Sequence, residues 1–121
     1  MTEFHLSTES RETEGGNIQI VAIKGALDAH TFPRFQSCLE GITEDRGKDP
    51  RLVLDCENLD YISSAGLGVL KKMVREMRVR GGDIRLASLS GKIRNIVQLL
   101  GFTKLIKIYP TLQEAVDSYR K

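Results

Sequence analysis

The hydrophobic pattern of this chain changes period several times, and each change marks an element. Ile18-Gln19-Ile20-Val21-Ala22-Ile23 is β-branched and mostly apolar, the composition of an interior strand. A short strand near Phe4 to Leu6 precedes it. The polar stretch Ser7 to Asn17, with Gly15-Gly16 near its end, predicts a hairpin connection between the two. Gly25 closes the second strand. Asp28 and Thr31 then supply helix-start chemistry, with Pro33 in the first turn, where a missing N–H costs little. Phe32, Phe35, Leu39 and Ile42 recur at helical spacing beside Cys38, so a first helix runs roughly to Thr43.

The charged segment Glu44 to Pro50 predicts a loop, followed by a third strand at Leu52-Val53-Leu54 with Cys56 at its end. Leu67, Leu70, Val74 and Met77 form one stripe, with Met73 adjoining, on a helix from Leu67 to Arg80 that Gly81-Gly82 stops. Ile84-Arg85-Leu86-Ala87 is a fourth strand. Ser90 caps a third helix through Ile93, Ile96, Val97 and Leu100, and Gly101 ends it. Ile106-Lys107-Ile108-Tyr109 is a fifth strand. After Pro110, Thr111 caps a last helix with Leu112, Ala115, Val116 and Tyr119 turned inward. Two opening strands followed by alternating helices and strands predict an α/β fold. The expectation is one domain over 1–121, a mixed five-stranded sheet covered by about four helices.

Composition narrows the function classes. The 121 residues are 40% hydrophobic and 28% charged, ordinary globular usage, with no apolar run near the length of a bilayer span. No basic start followed by an apolar block opens the chain, so a cytoplasmic protein is expected, with no membrane partner. Net charge is +2 from 18 basic and 16 acidic residues, and no aromatic interleaves with basic ones, so nucleic-acid binding is not suggested. The cluster Lys71, Lys72, Arg75, Arg78 and Arg80 lies along a helix and reads as a solvated face. Lys92 and Arg94 read as surface charges, with contact to an acidic patch on a partner as the other reading. Cys38 and Cys56 are spaced for neither a redox nor a zinc motif, and His5 and His30 lack companions at ligand spacing, so no metal is expected.

The chemistry concentrates in Tyr61-Ile62-Ser63-Ser64-Ala65-Gly66-Leu67-Gly68. A strand, a turn with adjacent hydroxyls and a helix start place Ser63 and Ser64 beside unpaired helical N–H groups, an end that favours anions. On these residues alone, Ser64 is either a helix cap or a modification site. Catalytic constellations fail. Gly66-Leu67-Gly68 lacks the lysine and spacing of a P-loop and the third glycine of a dinucleotide fingerprint, and Ser64 sits in no Gly-x-Ser-x-Gly elbow. No histidine is argued to face Ser64, so an enzyme is not the expectation and no cofactor is implied.

At this turn the sequence resembles the STAS domains of bacterial anti-sigma factor antagonists, whose signature is an Asp-Ser-Ser/Thr-Gly-Leu-Gly type of turn before a helix. Gly25-Ala26-Leu27-Asp28-Ala29-His30-Thr31 is similar to the family's Gly-Glu-Leu-Asp segment. Leu52-Val53-Leu54-Asp55, with Leu59 and Tyr61-Ile62, is similar to its central strand. Arg80-Gly81-Gly82 and Leu99-Leu100-Gly101-Phe102 match later landmarks in order. The likeness covers almost the whole chain and implies the STAS fold.

It also implies partner switching. In the family, the first hydroxyl after the motif's Asp is phosphorylated by a serine kinase that is also the anti-sigma factor. The bare antagonist binds that kinase, the phosphorylated form is released, and a phosphatase resets it. Carried over residue by residue, Ser63 falls on the Asp, Ser64 on the phosphoacceptor and Ala65 on the second hydroxyl. Ser63 is therefore a departure that removes a carboxylate and adds a minor alternative acceptor. The resemblance implies a partner surface around Asp28, Thr31, Ser63, Ser64, Gly66 and Leu67. From the residues alone, Asp28 reads as a cap of the first helix, Gly66 as a close-packing position and Leu67 as core. Two other readings stand beside this one: a constitutive STAS scaffold in a signalling or transport complex, and a small hydrolase using Ser64 as nucleophile.

Overall fold

The computed structural model describes residues 3–46 and 49–119. Its elements run in the order β1 His5–Thr13, β2 Gly16–Leu27, α1 Phe32–Arg46, β3 Arg51–Ile62, α2 Ser64–Val79 and β4 Asp83–Ala87. They continue with α3 Gly91–Leu99, a 3-10 turn at Phe102–Lys104, β5 Ile108–Tyr109 and α4 Leu112–Asp117. The five strands lie in chain order in one sheet. β1 runs antiparallel to β2, and every later neighbour is parallel. Parallel neighbours require crossovers, which α1, α2 and α3 supply. The mixed five-stranded sheet with four helices is the predicted architecture.

The helices divide unequally between the faces. On one side, Phe35, Leu39, Leu67, Leu70, Ile93 and Val97 of α1–α3 pack on Val21, Ile23, Leu52, Leu54 and Leu86. On the other, Ala115, Val116 and Tyr119, in and just beyond α4, meet Ile18, Ile20, Val53 and Ala87. Adjacent strand residues such as Ile20 and Val21 enter opposite cores because side chains alternate across a sheet. The last turn is pinned by Tyr119, whose hydroxyl lies 2.8 Å from the Leu52 carbonyl and 2.9 Å from that of Asp83. Arg85 stacks 3.9 Å from the centre of the Tyr119 ring and pairs with Asp83 at 3.1 Å.

Six expectations change. Ser7 to Thr13 is strand, not connection: β1 pairs with β2 from His5–Lys24 to Thr13–Gly16 and leaves a turn of only Glu14-Gly15. An edge strand can be polar because its outer surface is solvated, and its ladder does not depend on side chains. Thr13 closes the turn, its hydroxyl accepting from the Gly15 N–H at 3.1 Å and donating to the Gly16 carbonyl at 2.7 Å. Gly25 does not end β2; the strand passes through it with register shifts on either side, at φ +102. A Cβ there would stand 2.3 Å from the Glu3 carbonyl oxygen, so the glycine marks a bulge under a crossing backbone.

β3 continues to Ile62 rather than ending at Cys56, which lies inside it. Its first half pairs with both β2 and β4, its second half with β2 alone, which is why Glu57-Asn58-Leu59-Asp60 is polar. β5 keeps only Ile108-Tyr109 of the predicted four residues. α1 extends beyond Thr43 to Arg46, into the predicted loop, of which Gly47 and Lys48 fall outside the described residues. Leu100, placed by periodicity on the core stripe of α3, is the C-terminal cap and 56% exposed. Among the described residues no helix is long and apolar enough to cross a membrane.

Candidate functional site

β2 and β3 end side by side, with Leu27 opposite Ile62. The Ser63 N–H donates to the Leu27 carbonyl at 3.0 Å and ties the start of α2 to the end of β2. The turns leaving the two strands therefore emerge together at the carboxyl edge of the parallel strands, where loops gather and ligands meet sheets of this type.

The two serines divide the work of this turn. Ser63 has extended backbone, φ −85 and ψ 166, and its Oγ accepts from the Gly66 N–H at 3.0 Å. Its carbonyl accepts from the Leu67 N–H at 2.9 Å. Ser63 is thus the cap, and Ser64 is the first helical residue, three positions before the predicted start at Leu67. The apolar stripe marks only where the helix touches the core, whereas its first turn is held by the cap. Ser64 is exposed, and its hydroxyl has no hydrogen-bond partner among the described residues. N–H groups of a first helical turn lack intrahelical acceptors, and this turn carries no acidic side chain. A positive helix end thus stands beside a free hydroxyl.

Gly66 and Leu67 face inward. A Cβ on Gly66 would lie 2.8 Å from the Leu27 carbonyl oxygen and 3.0 Å from Ile62 Cγ1, so glycine permits the close approach of helix and strand. Leu67 is 2% exposed and anchors the helix in the core. Tyr61, beside Ala26 in the ladder and 47% exposed, presents an aromatic ring near the same edge; only its place in an otherwise inward-outward strand could have signalled it.

Asp28 and Thr31 build the neighbouring turn. Asp28 Oδ1 accepts from the Thr31 N–H at 3.1 Å and the His30 N–H at 2.9 Å. The Thr31 and His30 amides, in that order, hold the Asp28 carboxyl below its ordinary pKa. The Thr31 hydroxyl accepts from the Asp28 N–H at 3.0 Å and donates to the Ala26 carbonyl at 2.8 Å, so it is spent inside the turn. Asp28 is the charged group this turn offers to solvent.

No described contact links either histidine to Ser64; His5 pairs with Glu3 at 3.4 Å, and the His30 amide is in the Asp28 turn. Among the described residues no group of His, Cys, Asp and Glu could hold a metal ion. Both cysteines are free. Burial raises the pKa of half-buried Cys38 and, with the nearby Asp55 charge, pushes Cys56 up to about 12.

With this geometry in place, residues 10–115 match the model of the STAS domain. The chain belongs to the STAS domain family. The anti-sigma-B factor antagonist of Listeria monocytogenes is 28% identical to this STAS chain over 105 residues, 87% of this chain and 90% of its own. An anti-sigma factor antagonist from Mycobacterium paratuberculosis has a solved structure with a TM-score of 0.78 and 23% identity, over 97% of this chain and 96% of that one. The Bacillus cell fate determinant SpoIIAA in its phosphorylated form gives a TM-score of 0.67 and 23% identity, over 98% of this chain and all of the other. Those two structures share the fold with this STAS chain.

Proposed function

We propose that this chain is an anti-sigma factor antagonist of the cytoplasm, one STAS domain that binds an anti-sigma factor serine kinase through the carboxyl edge of its sheet. Phosphorylation of Ser64 releases the partner, and a phosphatase restores binding. The protein contributes no cofactor and no catalysis; the nucleotide belongs to the kinase. The likeness to the Listeria antagonist supports the partner class, and the phosphorylated SpoIIAA supports the kind of modification.

The observation that carries the reading is the exposed Ser64 hydroxyl at the first position of α2, without a hydrogen-bond partner among the described residues. A phosphoryl group adds about −1.5 to −2 charge and three acceptor oxygens. At a helix N-terminus the host stabilises that charge by about 0.3–1 kcal/mol, so the fold tolerates it. A partner surface fitted to a bare hydroxyl meets added bulk and desolvation instead. A coupling of about 3 kcal/mol lowers affinity more than a hundredfold. Ser63 is the weaker acceptor because its oxygen is committed to the Gly66 amide, and modification there would disturb the cap. In this account Ser64 and Asp28 face the partner directly, while Thr31, Gly66 and Leu67 hold them in place.

The test is calorimetry of the antagonist against the anti-sigma kinase of the same cell, with serine, phosphoserine and alanine at position 64. Tight binding by serine and alanine with loss of at least a hundredfold for phosphoserine supports the switch. Equal affinities would sink it and favour a constitutive scaffold.

A further inference from the structure

The basic cluster of α2 divides into two parts. Arg78 pairs with Asp83 at 3.0 Å, and Arg80 reaches the Thr43 carbonyl at 3.5 Å. Lys71, Lys72 and Arg75 are exposed and form no ion pair among the described residues. Lys71 and Arg75 are one helical turn apart and line a groove of 230 Å³ opposite Leu100, Phe102, Lys104 and Leu105. The groove is made where Gly101, at φ +76, turns the chain out of α3 and lifts Leu100 off the core. Leu100 is left 56% exposed and Leu99 86% exposed, two adjacent leucines in water. Three cations line this groove and, among the described residues, no carboxylate does. The chain as a whole has 18 basic and 16 acidic residues, so bulk charge does not account for the concentration.

We propose that this groove is a docking site for a partner protein segment carrying acidic residues around one or two apolar anchors. The anchors cover Leu100, Phe102 and Leu105, and the carboxylates reach Lys71, Arg75 and Lys104. Because Lys71, Arg75 and Lys104 form no ion pair among the described residues, the new pairs form without breaking any of those. A concave groove with an apolar floor and charged rim suits an inserted amphipathic segment better than a flat lipid surface. The site is separate from the α2 N-terminus: Arg75 lies eleven residues beyond Ser64, about 16 Å along the helix axis. It does not depend on the role assigned to Ser64.

The test is NMR titration of the isotopically labelled full chain with a synthetic helical peptide, leucines spaced three and four apart and glutamates elsewhere. The expected result is amide shifts concentrated at Lys71, Arg75 and residues 99–105. Each charge reversal, Lys71→Glu or Lys104→Glu, should weaken binding about tenfold while leaving the rest of the spectrum unchanged. A peptide with serine in place of leucine should bind much more weakly. Absent or scattered shifts, indifference to the reversals, or equal binding of the serine peptide would overturn the site. So would perturbation of these amides by phosphatidylglycerol vesicles but not by the peptide, or by raised protein concentration alone, which would assign the groove to a membrane or to a second copy.

Discussion

Ser63 and Ser64 have the same side chain and opposite situations, because the backbone turns from extended to helical between them. Removing the cap with Ser63→Ala should cost about 1 kcal/mol in denaturant unfolding, whereas Ser64→Ala should stay within about 0.5 kcal/mol. A larger loss at Ser64 than at Ser63 would contradict the assignment. The thiols give a second residue-scale prediction. Cys38 should react with an alkylating reagent in the native protein, and buried Cys56 only after unfolding. Cys56 titrates at about 12 in the fold against 9.0 ordinarily. Above pH 9 the unfolded chain therefore holds fewer protons than the native one, and stability falls as pH rises. The slope from this group approaches about 1.4 kcal/mol per pH unit, and Cys56→Ala should remove it in urea titrations at pH 9 to 11. Asp28 acts in the other direction. Its depressed pKa stabilises the fold at pH values above the ordinary carboxylate range, and that contribution is lost as pH falls through the folded value.

At the scale of elements, β2 shows how a local signal can mislead. Gly25 breaks an apolar run in sequence, yet the chain stays in the sheet because the glycine permits positive φ and lets Glu3 cross above it. Gly25→Ala combines strained backbone with a clash and should lower stability by about 1–3 kcal/mol in thermal unfolding. A neutral result would mean that the bulge relaxes easily. The helices were legible because Phe35 and Leu39, or Leu70, Val74 and Met77, repeat at the helical period, and because Ser90 and Thr111 cap where hydroxyls precede apolar stripes. Strand ends were not, since β1 and the far half of β3 are held by ladders most of whose side chains face water, apart from inward residues such as Leu59 and Ile62. The sequence allowed a cap at either Ser63 or Ser64, and only backbone geometry separates the two adjacent serines.

Across the whole molecule, a polar lock beyond the sheet's second face holds α4 in place. Six residues cannot sustain a helix alone, so α4 depends on docking. Asp83 lies between Arg78 and Arg85, and its side chain and that of Arg85 are only 10% and 12% exposed. Asp83→Ala would leave the Arg85 guanidinium buried without its carboxylate and should cost about 3 kcal/mol or more in denaturant unfolding. Loss of less than about 1 kcal/mol would show that the pair is decoration. None of this was visible in sequence, because Asp83, Arg85 and Tyr119 meet only when the last helix folds back.

The proposed partner edge was legible in outline, since a strand, a hydroxyl turn and a helix follow one another in sequence. Its pairing with the Asp28 turn required the β2–β3 register. On that edge the account places a switch that changes charge without moving the fold. The most direct test is phosphopeptide mass spectrometry of the protein from its own cells, growing and stressed, with Ser64→Ala as control. The account predicts phosphate on Ser64 at an occupancy that changes with condition. Full peptide coverage with no phosphate, with phosphatases inhibited, would contradict it.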